Sequence, residues 1–197
     1  MAEAHLITAV RGRFRRDHPV PIYLLAASAR EILTTIGARQ NVRTMLHGIA
    51  ESTGHKLGRV VEAAHEYTNF FKHADKDTTA SIDFDENSVD AVIMVACSDF
   101  ARIAKGMPIE LQVFQAWWLA INMERVSTAP LRIQPVIRYA ISLFPGVRRA
   151  DLLERLNIGQ RALEKAEADP RFRMEINREV RMSEESERAT ASRTPRG

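Results

Sequence analysis

Cysteine occurs once in this chain, at Cys97, so an internal disulfide framework is excluded. Cys97 lies in an apolar run, which predicts a buried free thiol and a reducing, cytoplasmic setting. Long apolar runs are also missing. The longest, Ala91 to Cys97, falls far short of the ~20 residues a membrane helix needs. The opening stretch MAEAHLITAVRGRFRRD has no apolar segment of the length a signal peptide requires. No internal repeat and no sustained heptad pattern is found. Strand-like alternation is confined to Ser81-Ile82-Asp83-Phe84-Asp85, too short and isolated to build a sheet.

What is present is ordinary for a globular protein: 45% hydrophobic and 27% charged residues in a chain of 197, which is room for one sizeable domain or for a domain with a small appendage. The net charge of +3 is unevenly spread. Residues 1–124 carry 13 basic and 15 acidic side chains, whereas residues 125–197 carry 15 and 10. A basic C-terminal third suggests attraction to nucleic acid or another anionic surface; the alternative is a solvated tail that happens to be rich in arginine.

Helical periodicity dominates. Ile22, Leu25, Ala29, Ile32, Leu33 and Ile36 recur at helical spacing, with Pro19 and Pro21 at the start and Gly37 as a stop signal. A shorter helix holds Met45, Leu46 and Ile49 and ends near Gly54. The next runs from about His55 to Ala74, with Leu57, Val60, Ala64, Tyr67, Thr68 and Phe71 on its apolar face. Another begins near Asn87 or Ser88 and buries Val89, Val92, Ile93, Ala96, Phe100 and Ile103; Gly106 and Pro108 break it. From Pro108 a further helix carries Leu111, Phe114, Trp117, Trp118 and Ile121. The expected fold is all-α: a helical bundle over 1–126, a small trihelical unit over 127–182 and a disordered tail over 183–197.

The segment Asn69-Phe70-Phe71-Lys72-His73-Ala74-Asp75 ends the third of these helices in a polar cluster. At 100° per residue, His55, Glu62, Glu66, Asn69 and His73 share a stripe opposite the apolar face. Asn69 and His73 are four apart and therefore neighbours. A carboxylate, an amide and an imidazole on one face can orient a neutral histidine for proton transfer near pH 7, and Lys72 can attract an anion. The alternative is a solvated helix face with His73 near the helix C-terminus, where a cation is favoured.

The NFFKHAD motif, followed by a short Asp-containing loop and a fresh apolar helix, resembles a family of small uncharacterised bacterial proteins. In that family a His-Pro helix start, matched by His18-Pro19, precedes the motif, and the resemblance covers roughly residues 17–120. More distantly, the bundle resembles the HEPN superfamily, many of whose members are RNases or toxins. That resemblance implies Asn69 and His73 as catalytic residues, with Glu66 one turn back. Thr68 stands where the superfamily's arginine, the implied phosphate ligand, is expected.

All six histidines lie within the first 73 residues, which raises metal binding. Glu62-x-x-His65 has the spacing of di-metal bundles, but there is no second copy. The loop Asp75 to Glu86 places Asp75, Asp77, Thr79, Asp83 and Glu86 at EF-hand positions, yet Ala80 occupies the position that needs glycine. An acidic inter-helix loop, with Asp85 or Asn87 capping the next helix, accounts for it. No metal or other cofactor is expected.

Residues 135–168 read as three short helices. Val136 to Phe144 form the first. Arg149 to Leu156 form the second, with Leu152, Leu153 and Leu156 inward. Asn157-Ile158-Gly159 make a turn, and Gln160 to Ala168 form the third, with Ala162, Leu163 and Ala166 inward. Helix, short turn with glycine, helix is the helix-turn-helix plan. Its recognition helix would offer Gln160, Arg161 and Lys165, with Arg149 upstream, as nucleic-acid contacts, while Glu164 and Glu167 would repel phosphate. The leading expectation is thus a non-enzymatic bacterial regulatory or nucleic-acid-associated protein. The alternatives are a HEPN-like RNase or inactive relative using His73, and a metal- or small-molecule-binding bundle. Expected partners are DNA or RNA, with a homodimer as a further candidate and no membrane.

Overall fold

The structure, a computed structural model, describes residues 1–73, 79, 81–104, 106–122 and 134–169. Among these residues the fold is all-α, as its periodicities predict. Eight α-helices and one 3-10 turn are present: α1 (Ala2–Arg15), α2 (Pro19–Arg39), α3 (Met45–Thr53), α4 (Leu57–Lys72), α5 (Asn87–Ile103), α6 (Ile109–Ile121), α7 (Gln134–Leu143), the turn Val147–Arg149, and α8 (Leu152–Ala168). None of these helices is long and apolar enough to cross a membrane. The expected boundary near residue 126 and the expected tail 183–197 fall outside the described residues. The chain divides into two compact units, Met1–Leu111 and Gln112–Gly197.

In the first unit α2 is the central helix and packs against α1 and α5. Leu6, Val10 and Phe14 of α1, Ile22, Ala26 and Leu33 of α2, and Val89, Ile93 and Phe100 of α5 are all buried. Each large apolar side chain contributes about 1.5–3 kcal/mol by leaving water. The His18-Pro19 pair starts α2 for a physical reason. The His18 ring accepts the Val20 N–H at 3.3 Å, and a proline at the first position forfeits an amide hydrogen that has no helical partner anyway. Gly37 does not stop α2, which runs on to Arg39. It sits where the chain folds back: the Val42 amide donates to the Gly37 carbonyl at 2.9 Å, and a Cβ on Gly37 would lie 3.2 Å from the Val42 carbonyl oxygen.

Helix α1 was not expected from the sequence. Its buried stripe includes Arg13, whose Nε donates to Asp90 Oδ1 at 2.7 Å and Nη2 to Asp90 Oδ2 at 3.1 Å. Asp90 lies in the first turn of α5, where a negative charge is also favoured by the helix dipole. The strand-like stretch 81–85 is irregular. It is held by Phe84, whose ring stacks edge-on against Tyr67 (4.9 Å), Tyr23 (5.6 Å) and Phe71 (5.6 Å). The Asp85 carboxylate accepts the Asn87 amide N–H at 2.9 Å in a local turn before α5, but the residue at the cap position is Glu86, whose side chain makes no capping hydrogen bond, so neither Asp85 nor Asn87 is the expected cap. Cys97 is buried, and burial pushes its thiol pKa up.

The second unit contains the main correction. Asn157-Ile158-Gly159 is not a turn, and α8 is one continuous helix from Leu152 to Ala168. The helix-turn-helix plan is therefore absent over these residues. A single glycine costs a helix only about 1 kcal/mol. Here Gly159 lies on the buried stripe Leu156, Gly159, Leu163 and Ala166, whose 3–4–3 spacing is that of an uninterrupted helix. That continuous phase also explains why Leu153, expected inward, is exposed: it is off the stripe. Leu152, in the first turn, is exposed as well. Three helical elements do follow residue 133, but they are α7, the 3-10 turn and α8. Trp117 of α6 is buried, and its indole N–H donates to the Arg155 carbonyl at 2.8 Å.

Candidate functional site

Helix α4 carries the polar stripe and rests lightly on its unit. Of its residues only Thr68 is fully buried, at 1% exposure. Leu57, expected inward, is exposed, and Val60, Ala64, Tyr67 and Phe71 are half-buried. The opposite face behaves as its periodicity predicts: His55, Glu62, Glu66, Asn69 and His73 are all exposed.

The structure brings part of that stripe into a concavity. Helices α3 and α4 flank an open groove of about 830 Å³ lined by His55, Arg59, Glu62, Glu66 and Asn69, with Ile49, Val60 and Ala63 as its apolar floor. Glu66 and Asn69 thus share a site with His55. His73 is not among the groove's lining residues. It is the residue just past the end of α4, and its amide donates to the carbonyls of Asn69 (3.1 Å) and Phe70 (3.3 Å). Ala74 and Asp75 of the motif lie outside the described residues. Thr68, at the place of the HEPN arginine, points into the protein, beside the Tyr23 phenol.

Glu62 and His65 do not converge on a metal position. Glu62 lines the groove, whereas the His65 ring approaches Glu31 on α2, with Nδ1 3.4 Å from Oε1. Burial lowers the His65 pKa, with Arg30 and Lys72 adding to it and Glu31 opposing. No group of three or more potential ligand side chains is placed to hold a metal among the described residues. Five of the twelve residues of the EF-hand-like loop, Asp75 and Asp77 among them, lie outside the described residues.

Sequence reasoning missed a buried polar set beneath α4. Arg30 of α2 is 3% exposed; its Nη1 donates to the Ala64 carbonyl at 2.6 Å, while Nη2 has no hydrogen-bond partner. Burial lowers the Arg30 pKa, offset in part by Tyr23, Glu31 and Asp99. Asp99 of α5 is 0% exposed and accepts the Met45 amide, at the start of α3, at 2.5 Å. The sequence offers only a charge in register with an apolar stripe, Arg30 between Ala26 and Leu33 and Asp99 three after Ala96, which does not by itself disclose a partner.

In the second unit the predicted nucleic-acid residues are differently placed. Arg149 is exposed on the 3-10 turn, next to exposed Arg148. The Arg155 guanidinium holds that turn, with Nε donating to the Val147 carbonyl (3.2 Å) and Nη2 to the Arg148 carbonyl (2.8 Å). Gln160 donates to Glu164 at 2.8 Å and Arg161 to Glu154 at 2.7 Å, both on the same helix. The Arg161 hydrogen bond, followed by that from Asn157, lowers the Glu154 pKa. Lys165 is exposed. No protein family, curated protein or solved structure matches this chain.

Proposed function

We propose that this is a non-enzymatic protein that binds nucleic acid through its phosphates, with the exposed Arg148-Arg149 turn as the contact. The observation that carries the reading is the way Arg155 holds the Val147 and Arg148 carbonyls, fixing the backbone that bears two neighbouring exposed arginines. Arg138 and Lys165 are exposed in the same unit and add positive charge. Base readout by Gln160 and Arg161 is not part of the proposal, because carboxylates on their own helix occupy both. Phosphate contacts position a protein without reading sequence, so binding should tolerate changes in sequence.

The test is fluorescence anisotropy with labelled duplex DNA and single-stranded RNA. Affinity should drop by about tenfold or more between 50 and 200 mM salt, as counterion release requires. Replacing Arg148 and Arg149 together with alanine should weaken binding clearly. Arg161→Ala should do less. Absence of binding at low salt, or full binding by the double variant, refutes the proposal.

A second reading, a HEPN-like RNase or its inactive relative, is favoured by the groove that gathers Glu66 and Asn69 beside His55. It predicts RNA cleavage that both Asn69→Ala and His73→Ala abolish. If wild-type protein leaves RNA intact, the RNase form of the second reading fails while the first reading stands.

A further inference from the structure

Beside the groove lies a smaller, open cavity of about 230 Å³, lined by residues of α2, α3, α4 and α5. Its walls are mostly apolar: Leu46, Ile49, Val60, Val92 and Val95, with the Tyr67 ring. Two polar groups in its lining are unusual. Arg30 and Ser88 are among its lining residues, and each carries a buried donor, Nη2 and Oγ, that makes no hydrogen bond. A buried cation with an unused donor is costly unless something completes it. The nearby carboxylates do not. One Asp99 oxygen takes the Met45 amide and Glu31 holds Lys72 and His65, so neither hydrogen-bonds Arg30.

We propose that this cavity binds a small monocarboxylate with an apolar body, such as a medium-chain aliphatic or an aromatic acid. Arg30 Nη2 and the Ser88 hydroxyl are two donors for the two carboxylate oxygens, and the aliphatic walls take the tail. A cavity of 150 Å³ already accommodates benzene, so about 230 Å³ suits an acid with a ring or a chain of several carbons. A phosphate fits poorly, because it would leave a second negative charge among apolar walls. Access is through the groove, since Ile49, Val60 and Ala63 line both spaces. The proposal is independent of nucleic-acid binding in the second unit.

Isothermal titration calorimetry of the full chain with octanoate, benzoate, octanol and inorganic phosphate tests it. One or both carboxylates should bind. Octanol should bind about tenfold or more weaker than octanoate, the loss expected when a charged hydrogen bond is removed, and phosphate should not bind. Arg30→Met should erase the preference for octanoate over octanol. In case that variant does not fold, Val95→Phe leaves Arg30 in place and fills the space. It should keep its helical circular dichroism and lower carboxylate affinity about tenfold or more. Three results would each overturn the proposal: no heat with either acid, equal affinity for octanol and octanoate, or unchanged carboxylate affinity in folded Val95→Phe. The first would mean that the cavity holds water alone.

Discussion

Asp99 shows how much one residue here depends on the tertiary fold. Its carboxylate lies wholly inside the first unit and accepts the amide of Met45, the first residue of α3. Desolvation raises its pKa from the ordinary 3.8, outweighing the lowering by the Met45 N–H, Arg102, His47 and Arg30. For an acid with a raised folded pKa, the folded state holds the proton more tightly than the unfolded chain does. Stability therefore declines as pH rises from about 3.8 to the folded value and stays lower above it. Asp99→Asn keeps an acceptor for Met45 and carries no charge. It should be at least as stable as wild type at pH 7 in urea unfolding, and less dependent on pH between 4 and 7. Asp99→Ala orphans a buried amide and should cost about 1–3 kcal/mol. Equal damage by both variants would show that the charge, not the hydrogen bond, matters. Neither Asp99 nor Arg30 was legible in the sequence, because each gains its meaning from a backbone group 54 or 34 positions away. The exposed stripe of α4 was legible, because it needs only the 3.6-residue period.

Helices were recovered in proportion to the purity of their apolar stripe. The start of α2 followed from Pro19 and Pro21, whose effects are local, whereas the cap expected for α5 is not formed by Asp85 or Asn87. Helix α1 was missed because a buried arginine and Gly12 interrupt its stripe. The Arg13–Asp90 pair that docks it has side-chain exposures of 4% and 16%, so breaking it leaves a charge with little access to water. Asp90→Ala should cost about 3–5 kcal/mol by urea unfolding. A loss under about 1 kcal/mol, the value of a surface pair, would mean that the pair is dispensable. Helix α8 was divided because Asn157-Ile158-Gly159 has turn composition, yet Gly159 is buried on a stripe that runs through it. Its continuity predicts that the amides of 157–159 exchange with solvent as slowly as those of Leu156 and Leu163. Rapid exchange confined to these three would restore the turn.

At the scale of the molecule, the proposed nucleic-acid binding has two candidate segments, residues 134–169 and residues 170–197. The described residues 134–169 hold six basic and five acidic side chains, while residues 170–197 hold seven and five. Charge alone does not decide which segment binds, because both are mixed and nearly balanced. The arginine turn held by Arg155 favours the former. Each phosphate contact contributes about 0.9 to the slope of log affinity against log salt on duplex DNA. If the Arg148-Arg149 turn is the site, ending the chain after Asp169 should leave most of that slope. Substituting both arginines in the full chain should lower the slope by about two contacts' worth, roughly 1.8. If the seven basic residues after Asp169 do the binding, the pattern reverses: the shortened chain loses the slope and the double variant keeps it. Melting both proteins by circular dichroism guards the result, since a shortened chain that has lost its helices says nothing about charge. A folded shortened chain without affinity would move the interface off the arginine turn and into residues 170–197.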